Sequence, residues 1–162
     1  MLFLDKNKME ESFRDEAVGH TLYKIYGDRA RSEGLEDIAR LYYDTSENEL
    51  SHAKAFYDEL NGKEAIEKQM RRAIADEEAD ARKYHEWHAD DGDARLLALS
   101  KVEAGHGERF KKRLRDFEGG TDYNCEKPAS WRCHRCGFVA SGRNAPTVCP
   151  LCFASQGSFY RE

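Results

Sequence analysis

The sequence lacks any long run of apolar residues. The longest such run near the start is Leu2-Phe3-Leu4, which is far too short for a secretory signal or a membrane span. We therefore expect a cytoplasmic protein that does not engage a membrane.

Cysteine is absent from the first 124 residues, and the chain has no excess of positive charge. Because all five cysteines follow residue 124, a disulfide framework that staples the whole protein is excluded. The formal net charge of −5 argues against non-specific binding to nucleic acid. With 162 residues and 40% hydrophobic residues, the chain can form one good core or one domain with a small appendage.

Apolar residues recur every three to four positions over four long stretches, which is the period of the α-helix. Glycines close these stretches as helix C-termini commonly do. The predicted helices are, in chain order, about Asp5 to Ser32, Leu35 to Leu60, Lys63 to Trp87 and, after a turn at residues 90–93, Leu96 to Phe117. This pattern predicts a mainly α protein with a helical domain at residues 1–120, a linker at 121–130 and a small domain at 131–162.

Two matched tetrapeptides lie inside the second and fourth predicted helices. Each has the form Glu-x-x-His, at Glu49 to His52 and at Glu103 to His106. Positions i and i+3 of a helix project from one face, so each tetrapeptide directs a carboxylate and an imidazole to one point. The second copy follows the first at an offset of 54 residues, which indicates an internal duplication of helix pairs.

The first and third predicted helices each carry one further inward-facing acid. Glu16 and Glu77 are each followed seven residues later by a tyrosine, Tyr23 and Tyr84. One Glu from each of two helices and Glu-x-x-His from each of the other two is the ligand set of ferritin-like dimetal bundles. The alternatives are that the acids are solvated surface groups and that the tyrosines are core aromatics.

The last forty residues contain a second metal-binding pattern. Cys133 and Cys136 form one C-x2-C pair, and Cys149 and Cys152 form another after twelve intervening residues. Four thiolates on two tight loops form a tetrahedral cage that suits zinc or iron.

Together these motifs resemble rubrerythrin, in which a ferritin-like diiron bundle precedes a rubredoxin-like Fe(Cys)4 domain. The resemblance covers nearly the whole chain. It is carried by residues 30–39 and 47–53 in the helical part and by residues 131–152 in the cysteine-rich part.

The resemblance implies a role for each candidate ligand. Glu49 and Glu103 would bridge two irons, and Glu16 and Glu77 would be terminal ligands. His106 would bind one iron permanently, whereas the other iron would exchange Asp80 for His52 on reduction. A single iron, or zinc as its possible substitute, would be bound by Cys133, Cys136, Cys149 and Cys152. Tyr23 would form a hydrogen bond with Glu77 or Glu103.

The activity implied by the resemblance is reduction of hydrogen peroxide to water in oxidative-stress defence. Electrons would enter through the Fe(Cys)4 site from a donor protein, either a rubredoxin or a flavoprotein reductase. The alternatives are a ferroxidase that handles iron as ferritin does, and a bundle whose cysteine domain is a structural zinc ribbon for binding a partner.

Two positions depart from the pattern of the family. The family usually has Glu at the position of Asp80, and it usually has Tyr at the position of His85. Both positions lie on the third predicted helix, so they bear on the ligand exchange and on the hydrogen bonds around the diiron site.

The connection between the second and third helices predicts a domain-swapped homodimer. In a ferritin-like bundle these helices run parallel, so their joined ends would lie roughly 33 Å apart. The connection around Asn61-Gly62-Lys63 spans only about 10 Å when fully extended. We expect the first two helices of one chain to close around the last two of a second chain. The alternative is an up-down-up-down monomer.

Overall fold

The computed structural model describes residues 5–162, so the apolar run Leu2-Phe3-Leu4 lies outside the described residues. Four long helices are followed by three short strands, which confirms the predicted mainly α fold. The elements are α1 (Lys6–Ser32), α2 (Glu36–Asn61), α3 (Ile66–Asp91), α4 (Ala94–Glu118), β1 (Asn124–Cys133), β2 (Val139–Asn144) and β3 (Phe159–Arg161). Within the described range, no helix combines the length and apolar character needed to cross a membrane.

Capping groups determine where the first two helices begin and end. The Asp5 carboxylate accepts a hydrogen bond from the backbone N–H of Asn7 at 3.1 Å, which satisfies one of the free donors at the start of α1. Gly34 has a φ of 78°, a left-handed conformation that glycine adopts without steric cost. This conformation allows Leu35 N–H to donate to the carbonyl of Ala30 at 2.9 Å and turns the chain into α2.

The bounds of α3 differ from the prediction at both ends. The helix begins at Ile66 rather than Lys63, because Ala65 precedes it in an extended conformation. It continues through Asp91, so Asp90 and Asp91 are helical rather than part of a turn. Gly92, with a φ of 71°, ends the helix.

The helices α1 and α2 form an antiparallel hairpin. Contacts between the two helices pair late residues of one with early residues of the other: His52 with Glu16, Ser46 with His20 and Tyr43 with Asp28. The most buried positions are occupied by small residues, namely Gly27, Ala30, Ala39, Ser46 and Ala53. Small side chains let the two backbones approach closely, so larger apolar side chains lie to either side of the contact line.

The helices α3 and α4 form a second antiparallel hairpin. Glu77 contacts His106, Ala81 contacts Ser100, and Lys111 pairs with Glu78 at 2.7 Å. The buried positions of α4 are again mainly small, with Ser100 and Gly107 beside Leu114. The two hairpins therefore repeat one packing scheme, as the internal duplication predicted.

The C-terminal strands form a three-stranded antiparallel sheet in the order β2-β1-β3. Trp131 is 1% exposed, and its indole N–H donates to the carbonyl of Gly142 at 3.0 Å, which satisfies its polar atom. The core around it consists of Cys133, Ala145, Cys149, Ala154 and Phe159. This core supports the two loops that carry the cysteines.

The chain divides into two compact units, one ending at Glu64 and the other extending over Ala65–Glu162. The second unit contains both the α3–α4 hairpin and the sheet. Within it, Arg161 of β3 donates to the carboxylate of Asp116 on α4 at 2.7 Å. Residues 124–130 of the predicted linker lie in β1, so only residues 119–123 separate α4 from the sheet.

Substituting Gly27 with alanine tests the close approach of α1 and α2. A Cβ at this position would lie 2.7 Å from Cε1 of Tyr43. The Tyr43 hydroxyl donates to Asp28 at 2.6 Å and its ring lies under the guanidinium of Arg31, so the ring cannot move without losing these contacts. We predict that Gly27→Ala lowers the free energy of unfolding by about 1–3 kcal/mol in urea denaturation.

Gly105→Ala is the matched control, because nothing lies within 4 Å of a Cβ built at Gly105 on α4. The higher helix propensity of alanine should raise the free energy of unfolding there by about 0.5–1 kcal/mol. Equal gains for the two variants would show that the Tyr43 ring relaxes without cost.

Candidate metal centres

The α1–α2 hairpin brings Glu16, Glu49 and His52 together. One donor atom from each lies within 4.8 Å of the other two. The His52 Nδ1 lies 3.2 Å from Oε2 of Glu16 and 3.1 Å from Oε2 of Glu49. Glu49 and His52 are one helical turn apart on α2, and the antiparallel packing places Glu16 opposite them. The structure thus assembles three predicted ligands.

Crowding of the two carboxylates shifts the protonation of this cluster. The hydrogen bond with Glu49, together with burial, raises the pKa of Glu16. The hydrogen bond with Glu16 and, to a smaller extent, the one with His52 lower the pKa of Glu49. The hydrogen bond with Glu49 and, to a smaller extent, the one with Glu16 raise the pKa of His52. Without a cation, the cluster therefore relies on protons to offset its negative charge.

The α3–α4 hairpin assembles Glu77, Glu103 and His106 in the same way. Their donor atoms also lie within 4.8 Å of one another. The His106 Nδ1 is 3.3 Å from Oε2 of Glu77 and 2.9 Å from Oε2 of Glu103. All three side chains remain partly exposed, at 24% for Glu77, 17% for Glu103 and 39% for His106. The two clusters are chemical copies, and each supplies three donors.

The structure does not bring Asp80 into a cluster. Its Oδ1 instead lies 2.5 Å from the ammonium of Lys83, one turn further along α3. That ammonium also lies 4.6 Å from the ring centroid of Tyr84 and 5.6 Å from that of Trp87. Asp80 is thus neutralised by a lysine where the prediction has it bind a metal.

Tyr23 belongs to an aromatic cluster on the α1–α2 hairpin. Its ring stacks on Tyr42 at a centroid distance of 6.1 Å and meets Tyr26 at 6.4 Å. These contacts account for the recurrence of tyrosine on this face of the hairpin. The hydrogen bond from Tyr23 to Glu77 or Glu103 stays a prediction.

A buried polar pair that sequence reasoning missed lies next to the first cluster. Ser46, 2% exposed, donates from its hydroxyl to the carbonyl of His20 at 2.8 Å. The His20 Nδ1 lies 2.9 Å from the carbonyl oxygen of Ser46. Since a carbonyl only accepts, the Nδ1 of His20 is the donor in this contact.

The duplication offered a signal for this pair, because Ser46 matches Ser100 at the offset of 54. The Ser100 hydroxyl donates to the carbonyl of Ala81 at 2.7 Å, which is the equivalent bond in the second hairpin. Ala81 occupies the place of His20, and Asp80 occupies the place of Gly19. The two hairpins thus share their ligand triads and differ in the residues beside them.

The four paired cysteines form a closed cage in the C-terminal sheet domain. Cys133 Sγ lies 3.7 Å from Cys152 Sγ, and Cys136 Sγ lies 3.6 Å from Cys149 Sγ. In a tetrahedral site with metal–sulfur bonds of about 2.3 Å, neighbouring sulfurs are about 3.8 Å apart. The spacing fits a tetrahedral metal ion and is too long for disulfide bonds.

The environment of the cage favours some thiolates and opposes others. Burial opposes the Cys149 thiolate, but backbone N–H groups of Cys152 and Leu151 lower its pKa to about 7. The backbone N–H of Phe138 favours the Cys136 thiolate, but burial and the other three thiols raise its pKa to about 12. A cation in the cage would therefore favour the Cys136 thiolate against burial and against its neighbours.

The donor sets of the three clusters fit iron. Carboxylate oxygens with one imidazole per cluster suit a non-haem iron pair, and four thiolates suit a mononuclear iron or zinc. The residues needed for a diiron centre and for a rubredoxin-like site are thus all present. Sequence reasoning located every member of the two triads and the cage.

Comparison with known proteins agrees with this geometry. Residues 7–73 match the family described as Rubrerythrin, and residues 131–160 match the family described as Rubrerythrin, rubredoxin-like domain. A rubrerythrin of Clostridium perfringens is 30% identical over 175 residues, which cover 92% of this chain and 89% of the relative. A rubrerythrin of Nitratidesulfovibrio vulgaris is 27% identical over 169 residues, which cover 91% of this chain and 88% of the relative.

These matches run through both metal-binding parts of the sequence. They confirm the predicted fold class, ferritin-like helices followed by a small rubredoxin-like domain. On the strength of a 30% identical relative aligned over nearly the full length of both chains, this protein belongs to the rubrerythrin family.

Proposed function

We propose that this protein is a cytoplasmic diiron peroxidase that reduces hydrogen peroxide to water with electrons received through its cysteine cage. The observation that carries the proposal is the presence, in one chain, of two Glu-Glu-His triads and a separate four-thiolate site. A peroxidase needs a two-electron centre and an entry point for single electrons, and these clusters supply the ligands for both.

Each protein group would have a distinct task. A bound pair of ferrous ions would supply the two electrons that cleavage of the O–O bond requires. Glu49 and Glu103 each have two oxygens and would hold both metals at once, while Glu16 and Glu77 would bind one metal each. His106 would stay bound to its metal. His52, whose side chain is 57% exposed, has the freedom to exchange with Asp80.

The Asp80–Lys83 ion pair bears on that exchange. Asp80 would have to leave the ammonium of Lys83 before its carboxylate could bind a metal. Since an exposed ion pair of this kind contributes only about 0–1 kcal/mol, a metal ion can displace the lysine readily. Lys83 would then neutralise Asp80 whenever His52 holds the metal instead.

The four-thiolate cage separates this proposal from a ferroxidase. A ferroxidase takes electrons from ferrous iron itself, so it has no need of an electron entry site. A zinc ribbon for binding a partner is the other candidate, and it would leave the protein colourless.

Reaction of the reduced protein with peroxide tests the proposal. Anaerobic mixing of the ferrous protein with hydrogen peroxide should reoxidise both centres rapidly, as followed in the visible spectrum. Glu103→Ala should reduce the rate by about 100-fold or more, because the loss of a bridging carboxylate releases both metals. Rapid reaction with oxygen and little with peroxide would instead identify a ferroxidase.

Glu108→Ala is the matched control for Glu103→Ala. Glu108 lies on the same helix, is exposed and pairs with Lys111 at 2.8 Å, outside the triad. This variant should react with peroxide at the rate of the unmodified protein. A comparable loss in both variants would point to general damage to α4.

The cysteine cage should load independently of the helical clusters. After anaerobic loading we expect three irons per chain, and Cys133→Ser should lose about one of them while the other two remain. Metal analysis by mass spectrometry checks this count. Simultaneous loss of all three would contradict separate sites.

We further propose that two chains form a domain-swapped homodimer. Each triad supplies three donors, whereas a diiron centre of this family draws on four helices. Consider a bundle in which α2 and α3 run parallel and their ligands lie at one level. The end of α2 at Asn61 and the start of α3 at Ile66 would then be about 30 Å apart, because each residue from His52 to Asn61 and from Ile66 to Glu77 adds 1.5 Å. The chain from Asn61 to Ile66 reaches less than about 19 Å. One chain therefore cannot close that bundle, but two chains exchanging hairpins can.

Exposed apolar side chains support the exchange. In α1 and α2 they include Val18, Ile25, Ile38 and Leu41, which are 56%, 54%, 47% and 66% exposed. In α4 they include Val102, Phe110 and Phe117. Helices of a stable bundle normally bury such residues, so both hairpins need further protein against them.

A mixed dimer distinguishes the swapped arrangement from a monomer. In a swapped dimer of one Glu49→Ala chain and one Glu103→Ala chain, one bundle carries both defects and the other carries none. Co-refolding the two inactive variants should therefore restore about half of the peroxide activity per mixed dimer. A mixture that forms verified mixed dimers without activity, or a fully metal-loaded monomer in solution scattering, would refute the exchange.

A further inference from the structure

The two cysteine loops share one backbone conformation but differ in the residue that follows the second cysteine. Gly137 N–H donates to the carbonyl of Cys133 at 2.8 Å, and Phe153 N–H donates to the carbonyl of Cys149 at 3.0 Å. The φ angles are 78° for Gly137 and 58° for Phe153. Both loops thus require the left-handed region at this position, and only the first loop meets the requirement with glycine.

Phenylalanine is a costly choice for this position. In the left-handed region its Cβ crowds the backbone, so bulky residues are rarely found there. The Phe153 side chain gains little in return, because the residue is 80% exposed. Residues held in unfavourable backbone conformations concentrate at functional sites, so the exposed ring indicates a function other than stabilising this domain.

Phe153 is part of an apolar surface on the second cysteine loop. Val148 and Leu151 flank Cys149 and are 52% and 63% exposed. Val148 directly precedes Cys149 and Phe153 directly follows Cys152, so this surface belongs to residues adjacent to two of the four thiolates. A molecule seated on it would come within a few bonds of the cage.

The surroundings of this surface carry positive charge. Between Trp131 and Arg161 the sequence contains four arginines and neither aspartate nor glutamate. Arg161 and Arg132 are paired with Asp116 and Glu162. Arg135 is exposed between Cys133 and Cys136, on the loop whose sulfurs meet those of the second loop. An apolar surface within a basic domain fits a partner that is acidic around an apolar centre.

We propose that Val148, Leu151 and Phe153, with Arg135 on the facing loop, form the docking surface for an acidic one-electron donor protein. The inference rests on the proposed role of the cage as the electron entry site. In each encounter the reduced donor would lose one electron, and a ferric iron held by the four thiolates would accept it. No bond is formed or broken, and no proton is required. Phe153 anchors the donor against the loop that holds Cys149 and Cys152.

Reduced flavodoxin, an acidic single-electron donor, serves as the probe. Loss of the ferric-thiolate absorbance is followed anaerobically by stopped flow. Phe153→Gly should lower the second-order rate constant about tenfold at low ionic strength, and titration calorimetry with oxidised flavodoxin should show a weaker complex. The thermal midpoint of the same variant should rise, because glycine adopts the left-handed conformation freely. Loss of docking with a gain in stability excludes a merely structural role for the ring.

Three controls separate docking from other effects. Phe153→Ala should lose docking equally but without the gain in stability. Tyr160→Leu removes an aromatic residue that is 48% exposed in the same domain, and its rate should not change. Reduced methyl viologen is a small cation that needs no docking surface, so it should reduce all variants equally. Arg135→Glu should slow reduction by flavodoxin and weaken its dependence on salt.

The outcomes are decisive for the docking surface. Equal flavodoxin rates for Phe153→Gly and the unmodified protein would overturn it. A change in the oligomeric state of Phe153→Gly in sedimentation would also overturn the proposal, because a second copy of this chain would then occupy the surface. A colourless zinc protein would refute the relay on which the inference rests. Failure to reduce peroxide, with flavodoxin rates as expected, would refute only the peroxidase.

Discussion

Crowded carboxylates are the constraint on which the structure depends. Glu16 and Glu49 lie within hydrogen-bonding distance of one imidazole, and Glu77 and Glu103 repeat the arrangement. Like charges at this range repel each other strongly unless a cation or shared protons intervene. A bound cation or shared protons therefore stabilise each triad, and the helices keep its acids together.

The small residues between the paired helices of each hairpin follow from the same requirement. Small residues at Gly27, Ala39, Ser46 and Ala53 bring α1 and α2 close enough for side chains as short as glutamate to meet across them. Larger apolar residues would fill the contact line but move the helices apart and separate the donors. The protein thus gives up burial within each hairpin and leaves its larger apolar side chains for other contacts.

Much of this organisation could be predicted from the sequence, because it depends on local spacing. The Glu-x-x-His pairs at Glu49 and Glu103 and the paired cysteines are defined by helix and loop geometry over three or four residues, and the structure assembles them as predicted. Glu16 and Glu77 are predicted as the inward-facing acids that complete the ligand set on the other two helices. What escaped prediction depends on contacts between elements. The ion pair of Asp80 with Lys83, the bond of Ser46 with His20 and the start of β1 at Asn124 each require a partner that spacing alone does not identify.

The unequal neighbours of the two triads have a consequence for the metal ion that each triad can hold. His20 and Gly19 stand beside the first triad, whereas Ala81 and Asp80 stand at the matching places of the second. A metal ion at the first triad would therefore lie in different surroundings from an ion at the second, although the nearest ligands are alike. Two sites of different affinity would fill in a fixed order as metal is added.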